Sequence, residues 1–183
     1  MATWWHTLAR IARHRWLVDE RDVRRALPPA LVERLMQRVA ASERRHTGQI
    51  RICVEAGLPL SYLWRGATAR ERAVTLFGKL RVWDTEHNNG VLVYLLLAEH
   101  AIEIVADRGL ARAVPPGTWR TLVAHMGAAF RQGRYEDGLT EALAEVSALL
   151  VQHFPAPADS AGGLRANELP DAPVLAGDKL LDS

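Results

Sequence analysis

The chain has 183 residues, 49% of them hydrophobic and 24% charged, and a formal net charge of +2. These values suit one globular domain with a tail. They come with no apolar run near the roughly 20 residues of a spanning helix, no secretory signal at the N-terminus, and a single cysteine, Cys53, which excludes an internal disulfide. The simplest expected setting is a reducing cytoplasm.

Trp4, Leu8, Ile11 and Arg15 share one helical face, with Trp5 and Ala12 beside them, and this predicts a basic amphipathic helix over 3–17. Such a segment, 1–18, suits docking onto the parent domain, and its composition also fits a membrane surface. Pro28-Pro29 opens a second helix with a stripe of Leu31, Leu35 and Val39. Gln49 to Glu55 alternates and reads as a strand, and Gly57 to Gly66, around Pro59, reads as a loop. Ala73, Val74, Phe77 and Leu80 then have helical spacing. Val91–Ala98 is apolar on both faces, as in a central strand, and Ala101–Ala106 returns as another. Helices follow from Pro115-Pro116, with Trp119, Leu122, Met126 and Phe130, and from Tyr135 to Leu150. Beyond Phe154 the composition turns to Pro, Ala, Gly and Asp, which predicts a flexible tail over 155–183, disordered or loosely laid on the surface. The order of elements argues for a three-layer α/β/α sandwich around a small mixed sheet.

A β-α-β unit is right-handed and parallel in nearly all cases, so Gln49–Glu55 should run beside Val91–Ala98. The hairpin then brings Asn88-Asn89-Gly90 and Asp107-Arg108-Gly109 to one sheet edge, with Asp84 and Glu86 on the same loop as the Asn pair. Glu55, Glu99 and His100 belong at the opposite edge. Hard divalent cations take several oxygen ligands, charged and neutral, and Asp84, Glu86, Asn88, Asn89 and Asp107 could supply them. The same residues also suit turns, since Asn-Gly and Asp-x-Gly tolerate positive φ. Cys53 inside a strand reads as a buried apolar residue. No nucleophile elbow, Walker loop or dinucleotide fingerprint is present.

Four stretches together resemble the TPM domain family: Thr47-Gly-Gln-Ile-Arg-Ile, Asn89-Gly-Val-Leu-Val-Tyr, Ile102-Glu-Ile-Val-Ala-Asp-Arg-Gly-Leu and Phe130-Arg-Gln-Gly-Arg-Tyr-Glu-Asp-Gly-Leu. Leu17-Val18-Asp19 adds a weaker match. The resemblance covers roughly 17–154, is specific in the central block, and is closest to a short cytoplasmic bacterial branch; it marks out a TPM-like domain at 19–154. It implies the α/β/α sandwich, divalent-metal binding in loops at a sheet edge, and a phosphatase activity proposed for some members. The chain departs from it at Asn88, where many members carry Asp, and one lost charge weakens a cation site.

Two functional expectations follow. One is a module that binds Ca²⁺ or Mg²⁺ through Asp84, Asn88, Asn89 and Asp107 and assists a membrane-associated or multiprotein complex. The alternative is a metal-dependent phosphomonoester hydrolase with Glu86 as base and Arg108 as phosphate clamp. Charge asymmetry bears on partners: residues 1–83 hold 16 Lys/Arg against 7 Asp/Glu, and residues 84–183 hold 7 against 14. The basic half suits an anionic surface or a protein partner, so a cytoplasmic protein peripheral at the membrane is expected, with no specific nucleic-acid target. Two oppositely charged layers of one domain explain the same asymmetry.

Overall fold

Alternation sets the sheet. Along β1 (Ile50–Glu55) the side chains of Ile50, Ile52 and Val54 enter one apolar core, while Cys53 enters a second core on the other face. The computed structural model describes residues 8–14, 20–157 and 167–176. β2 (Val91–Leu96) is buried at every position and pairs in parallel with β1, from Ile50 opposite Val91 to Glu55 opposite Leu96. β3 (Ala101–Ala106) returns antiparallel to β2. Between them lie a 3₁₀ turn, Leu97–Glu99, and His100 at φ 47°, so β2 is two residues shorter than the apolar run suggests.

Helices cover both faces. On the first lie α1 (Glu20–Ala26), α2 (Pro29–Glu43), α6 (Pro116–Arg131) and α7 (Tyr135–His153). They contribute Val23, Leu35, Met126, Phe130 and Leu150 to the larger core. On the second lie α3 (Leu60–Trp64) and α4 (Ala69–Lys79), which bring Leu63, Ala73 and Leu76 against Cys53, Leu92 and Tyr94. The result is a mixed sheet between helical layers, an α/β/α sandwich.

Three short elements differ from the sequence expectation. The predicted loop 57–66 contains α3, five residues that start behind Pro59. The Asp107-Arg108-Gly109 turn is the start of α5 (Arg108–Ala113), capped by the Asp107 side chain, which accepts the Arg108 N–H at 2.7 Å. In the tail, β4 (Val174–Ala176) joins the sheet parallel to β1, giving the strand order β3-β2-β1-β4. Two elements of three and six residues are too short to show periodicity.

Of the predicted N-terminal helix, residues 8–14 are described and are helical; the remainder lies outside the described residues. This segment docks on the domain. Ile11 packs on the second core, and the His14 Nδ1 accepts the Leu58 N–H at 2.9 Å. The proton is therefore on Nε2, which donates to Glu99 at 3.1 Å. The Glu99 carboxyl is held below its ordinary range by that bond, against the effect of its burial and with help from Arg10.

Candidate functional site

The loop 82–90 and the start of α5 meet where β2 begins and β3 ends. Gly90 O accepts the Asp107 N–H at 2.8 Å, and Asn88 O accepts the Gly109 N–H at 2.9 Å. Both glycines are needed for close approach. A Cβ on Gly90 would overlap the Val82 carbonyl oxygen, and one on Gly109 would lie 2.5 Å from Asn88 O and 2.9 Å from His87 O. Asn88 adopts φ 51°, a left-handed conformation that Asn tolerates better than most residues.

Asn89 is fully buried. Its N–H donates to Thr85 Oγ1 at 3.1 Å and its Nδ2 donates to Thr47 Oγ1 at 2.9 Å, which ties the loop to the entry of β1. Its Oδ1 has no hydrogen-bond partner, and neither has the buried Oδ2 of Asp107. Leaving such an oxygen unsatisfied costs about 1–3 kcal/mol each. Two of them on adjoining strand ends mark this edge off from the rest of the described residues.

The other predicted residues stand further out. Arg108 is exposed and donates from Nε to Asn88 Oδ1 at 2.8 Å. Asp84 is exposed, 4.0 Å from Arg81. Glu86 points into solvent with His87 Nε2 4.0 Å away, while its backbone N–H donates to the Glu168 carboxylate at 2.8 Å. Asn88, Asn89, Asp107 and Arg108 are thus brought together, and Asp84 and Glu86 line the rim. Among the described residues no three His, Cys, Asp or Glu side chains gather as a set able to hold a metal ion. A cation here would rely on one buried carboxylate, Asp107, and on neutral amide oxygens, with Asp84 exposed further out. Carboxylate and amide oxygens are donors that suit a hard ion such as Ca²⁺ or Mg²⁺.

The model of the TPM domain matches residues 21–149. The chain belongs to the TPM domain family. Solved structures share its fold. The BA42 protein of the psychrophilic bacterium Bizionia argentinensis superposes with a TM-score of 0.66 at 22% identity, over 82% of this chain and 95% of that one. The N-terminal domain of a P. gingivalis protein superposes with a TM-score of 0.54 at 22% identity, over 72% of this chain and 82% of that one. At such identities the likeness concerns the fold. No curated protein matches the chain.

Two further features of this TPM domain lie away from the hairpin edge. On the second face, Arg72 makes two bonds to Glu55, 3.0 Å and 2.6 Å, and Tyr94 donates to the same carboxylate at 2.7 Å. Burial works to lower the Arg72 pKa, but the bonds to Glu55 more than offset it and the net direction is upward. Burial, then the Glu55 charge, pushes the Tyr94 phenol well up. Cys53 is buried in the same layer, and burial raises its thiol beyond any reactive range. Sequence reading missed this cluster because its members come from three elements. The only available signal was Glu55 itself, a carboxylate ending an apolar strand. At the far end of the sheet, a cleft of about 580 Å³ is lined by Asp22, Arg25, Leu97, His100, Arg134 and Tyr135. Its arginines are engaged, Arg25 with Asp22 at 3.4 Å and Arg134 with Asp137 at 3.0 Å. Among the described residues no buried unpartnered oxygen faces this cleft, so we place the candidate site at the hairpin.

Proposed function

We propose that this TPM domain is a divalent-metal-binding module that assists a membrane-associated or multiprotein complex. The observation that carries the reading is the pair of buried, unpartnered oxygens, Asn89 Oδ1 and Asp107 Oδ2. With Asn88 and, from the rim, Asp84, they make the proposed ligand set for Ca²⁺ or Mg²⁺. When bound, the cation supplies a fixed positive charge at the sheet edge. Two carboxylates among four ligands favour weak binding. The test is calorimetric titration of the parent with Ca²⁺ and Mg²⁺, repeated on Asp107→Asn and Asp84→Ala. Heat that shrinks in both variants supports the site; no heat from the parent removes it.

The proposed contact surface is the basic first half, including residues 1–18. Among the described residues no helix is long and apolar enough to cross a membrane, so association would be peripheral. Deleting residues 1–18 should abolish sedimentation with anionic vesicles. Unchanged sedimentation would remove residues 1–18 from the contact surface, and a parent chain that does not sediment would leave a protein complex as the partner.

One observation favours a second reading, a metal-dependent phosphatase: the Arg108 guanidinium lies at the mouth of the site, on Asn88. There it is placed to hold a phosphate dianion, with Glu86 as the base that takes a proton from water. Turnover of a phosphomonoester that survives in Asp107→Asn would exclude this edge as its source.

A further inference from the structure

Residues 167–176 lie outside the family match and run along the open edge of β1 like a bound peptide. The hydrogen bonds that hold them there are mostly to their backbone and so insensitive to their sequence. Gln49 Oε1 accepts two successive N–H groups, from Glu168 at 3.2 Å and Leu169 at 3.0 Å. The Arg51 guanidinium donates to two carbonyls of the strap, Pro170 O and Ala172 O, the second at 2.9 Å. Cys53, Val54 and Glu55 then pair in parallel with Val174, Leu175 and Ala176. Side-chain recognition is lighter: Val174 and Leu175 pack at the margins of the two cores, and two points are more specific. Leu169 is buried in the second core, and the Glu168 carboxylate takes the Glu86 N–H.

This division of labour, with backbone bonds for affinity and one or two pockets for selectivity, is that of peptides which add a strand to a sheet edge. We infer that the β1 edge is a docking groove for an extended protein segment, and that residues 167–176 are its tethered occupant. The segment that fits carries an acidic residue followed by Leu-Pro and then a short aliphatic strand. The acid reads the Glu86 amide, the leucine fills the core pocket, and the absence of an N–H on Pro170 is tolerated because only its carbonyl is used. The tether keeps the groove closed: an occupant in the same chain acts at a millimolar effective concentration for a short linker. A partner segment enters only when it competes with that, and its acidic residue then takes over the bond to the Glu86 amide. The groove is a property of β1 and needs no metal.

The test uses the full chain and a fluorescein-labelled peptide of residues 167–176. Leu169→Asp in the chain removes the strap's anchor, and the labelled peptide should bind this variant at least about tenfold more tightly than it binds the parent. The same peptide carrying Leu169→Asp should bind neither. Should the variant fail to fold, a second form carries a protease site inserted after Gly163 and is cut once folded, so that only the tether is lost. The peptide should exchange into the cut chain. Equal binding to parent and opened chains, no binding to either opened form, or binding indifferent to the leucine would each overturn the proposal and make the strap a fixed part of the fold.

Discussion

Arg72 and Glu55 meet inside the protein, with side chains only 4% and 5% exposed, through two hydrogen bonds. The pair joins α4 to the end of β1. A buried ion pair is strong only while complete, because removing one partner strands the other's charge. Arg72→Met should therefore cost about 3–5 kcal/mol of unfolding free energy in urea, and adding Glu55→Gln should recover part of it. Tyr94→Phe removes one donor from the same carboxylate and should cost about 1–2 kcal/mol. A neutral Arg72→Met would show that the pair adds nothing to the packing of α4.

Asp107 has two tasks that substitution can separate. Its Oδ1 caps α5, while its Oδ2 is the unpartnered oxygen of the proposed site. Asp107→Ala should lose the cap, about 0.5–2 kcal/mol of stability in metal-free buffer. Asp107→Asn, which keeps an accepting oxygen, should fold nearly as well as the parent and lose only affinity for Ca²⁺. If both variants lose stability equally without metal, the buried charge is itself structural.

Asn88→Asp restores the carboxylate that the family resemblance leads one to expect. Its backbone at φ 51° suits Asp as well as Asn. Another anionic ligand should tighten Ca²⁺ by about tenfold, read by calorimetry. Unchanged affinity would place the ion out of reach of this side chain.

Gly90 and Gly109 should resist even alanine. A methyl at Gly90 would collide with the Val82 carbonyl, which is backbone and cannot rotate away. Gly90→Ala should lose about 3 kcal/mol or fail to fold, the upper end of overpacking costs. Gly78→Ala, where nothing lies within 4 Å of the added carbon, should be neutral or slightly stabilising in its helix. Thermal melts of the three variants decide this, and a stable Gly90→Ala would mean the loop yields readily.

Glu43 makes stability depend on pH. Burial pushes its carboxyl up to about 8; the Ile50 N–H it accepts opposes the rise, and Asp171 and Glu168 add to it. A group that binds its proton more tightly when folded contributes stability that is full below about 4.5 and lost as pH climbs through about 8. Unfolding free energy should therefore fall between pH 5.5 and 8.5, and Glu43→Gln should flatten most of that slope. Glu103, also raised by burial, contributes in the same sense. An unaltered slope in Glu43→Gln would assign the effect elsewhere.

Long periodic segments were readable from the chain alone. The parallel β1–β2 pair, the hairpin, α6 and α7 follow from alternation, helical stripes and the handedness of crossovers, and with them the edge shared by Asn89 and Asp107. Burial of Asn89 was not readable, because an Asn-Gly pair looks like an exposed turn until the Thr47 and Thr85 hydroxyls are in place. Asp107 as a cap was within reach: Asp followed by Arg-Gly-Leu-Ala-Arg-Ala has the composition of a short capped helix, and only Gly109 disguised it. β4 was not, since three residues behind Pro173 carry no pattern; the strand exists only because β1 offers an edge.

That edge has a practical side. Shortening the chain at the family boundary, residue 149, would strip β1 of its neighbour and expose the unpaired backbone of Cys53 and Val54 beside a patch of core once covered by Leu169. An open, flat, apolar strand is a template for pairing with other molecules. A fragment trimmed to the recognised domain should therefore self-associate more readily than the whole chain as its concentration rises. Here the limits of the family and the limits of a well-behaved folding unit fall in different places.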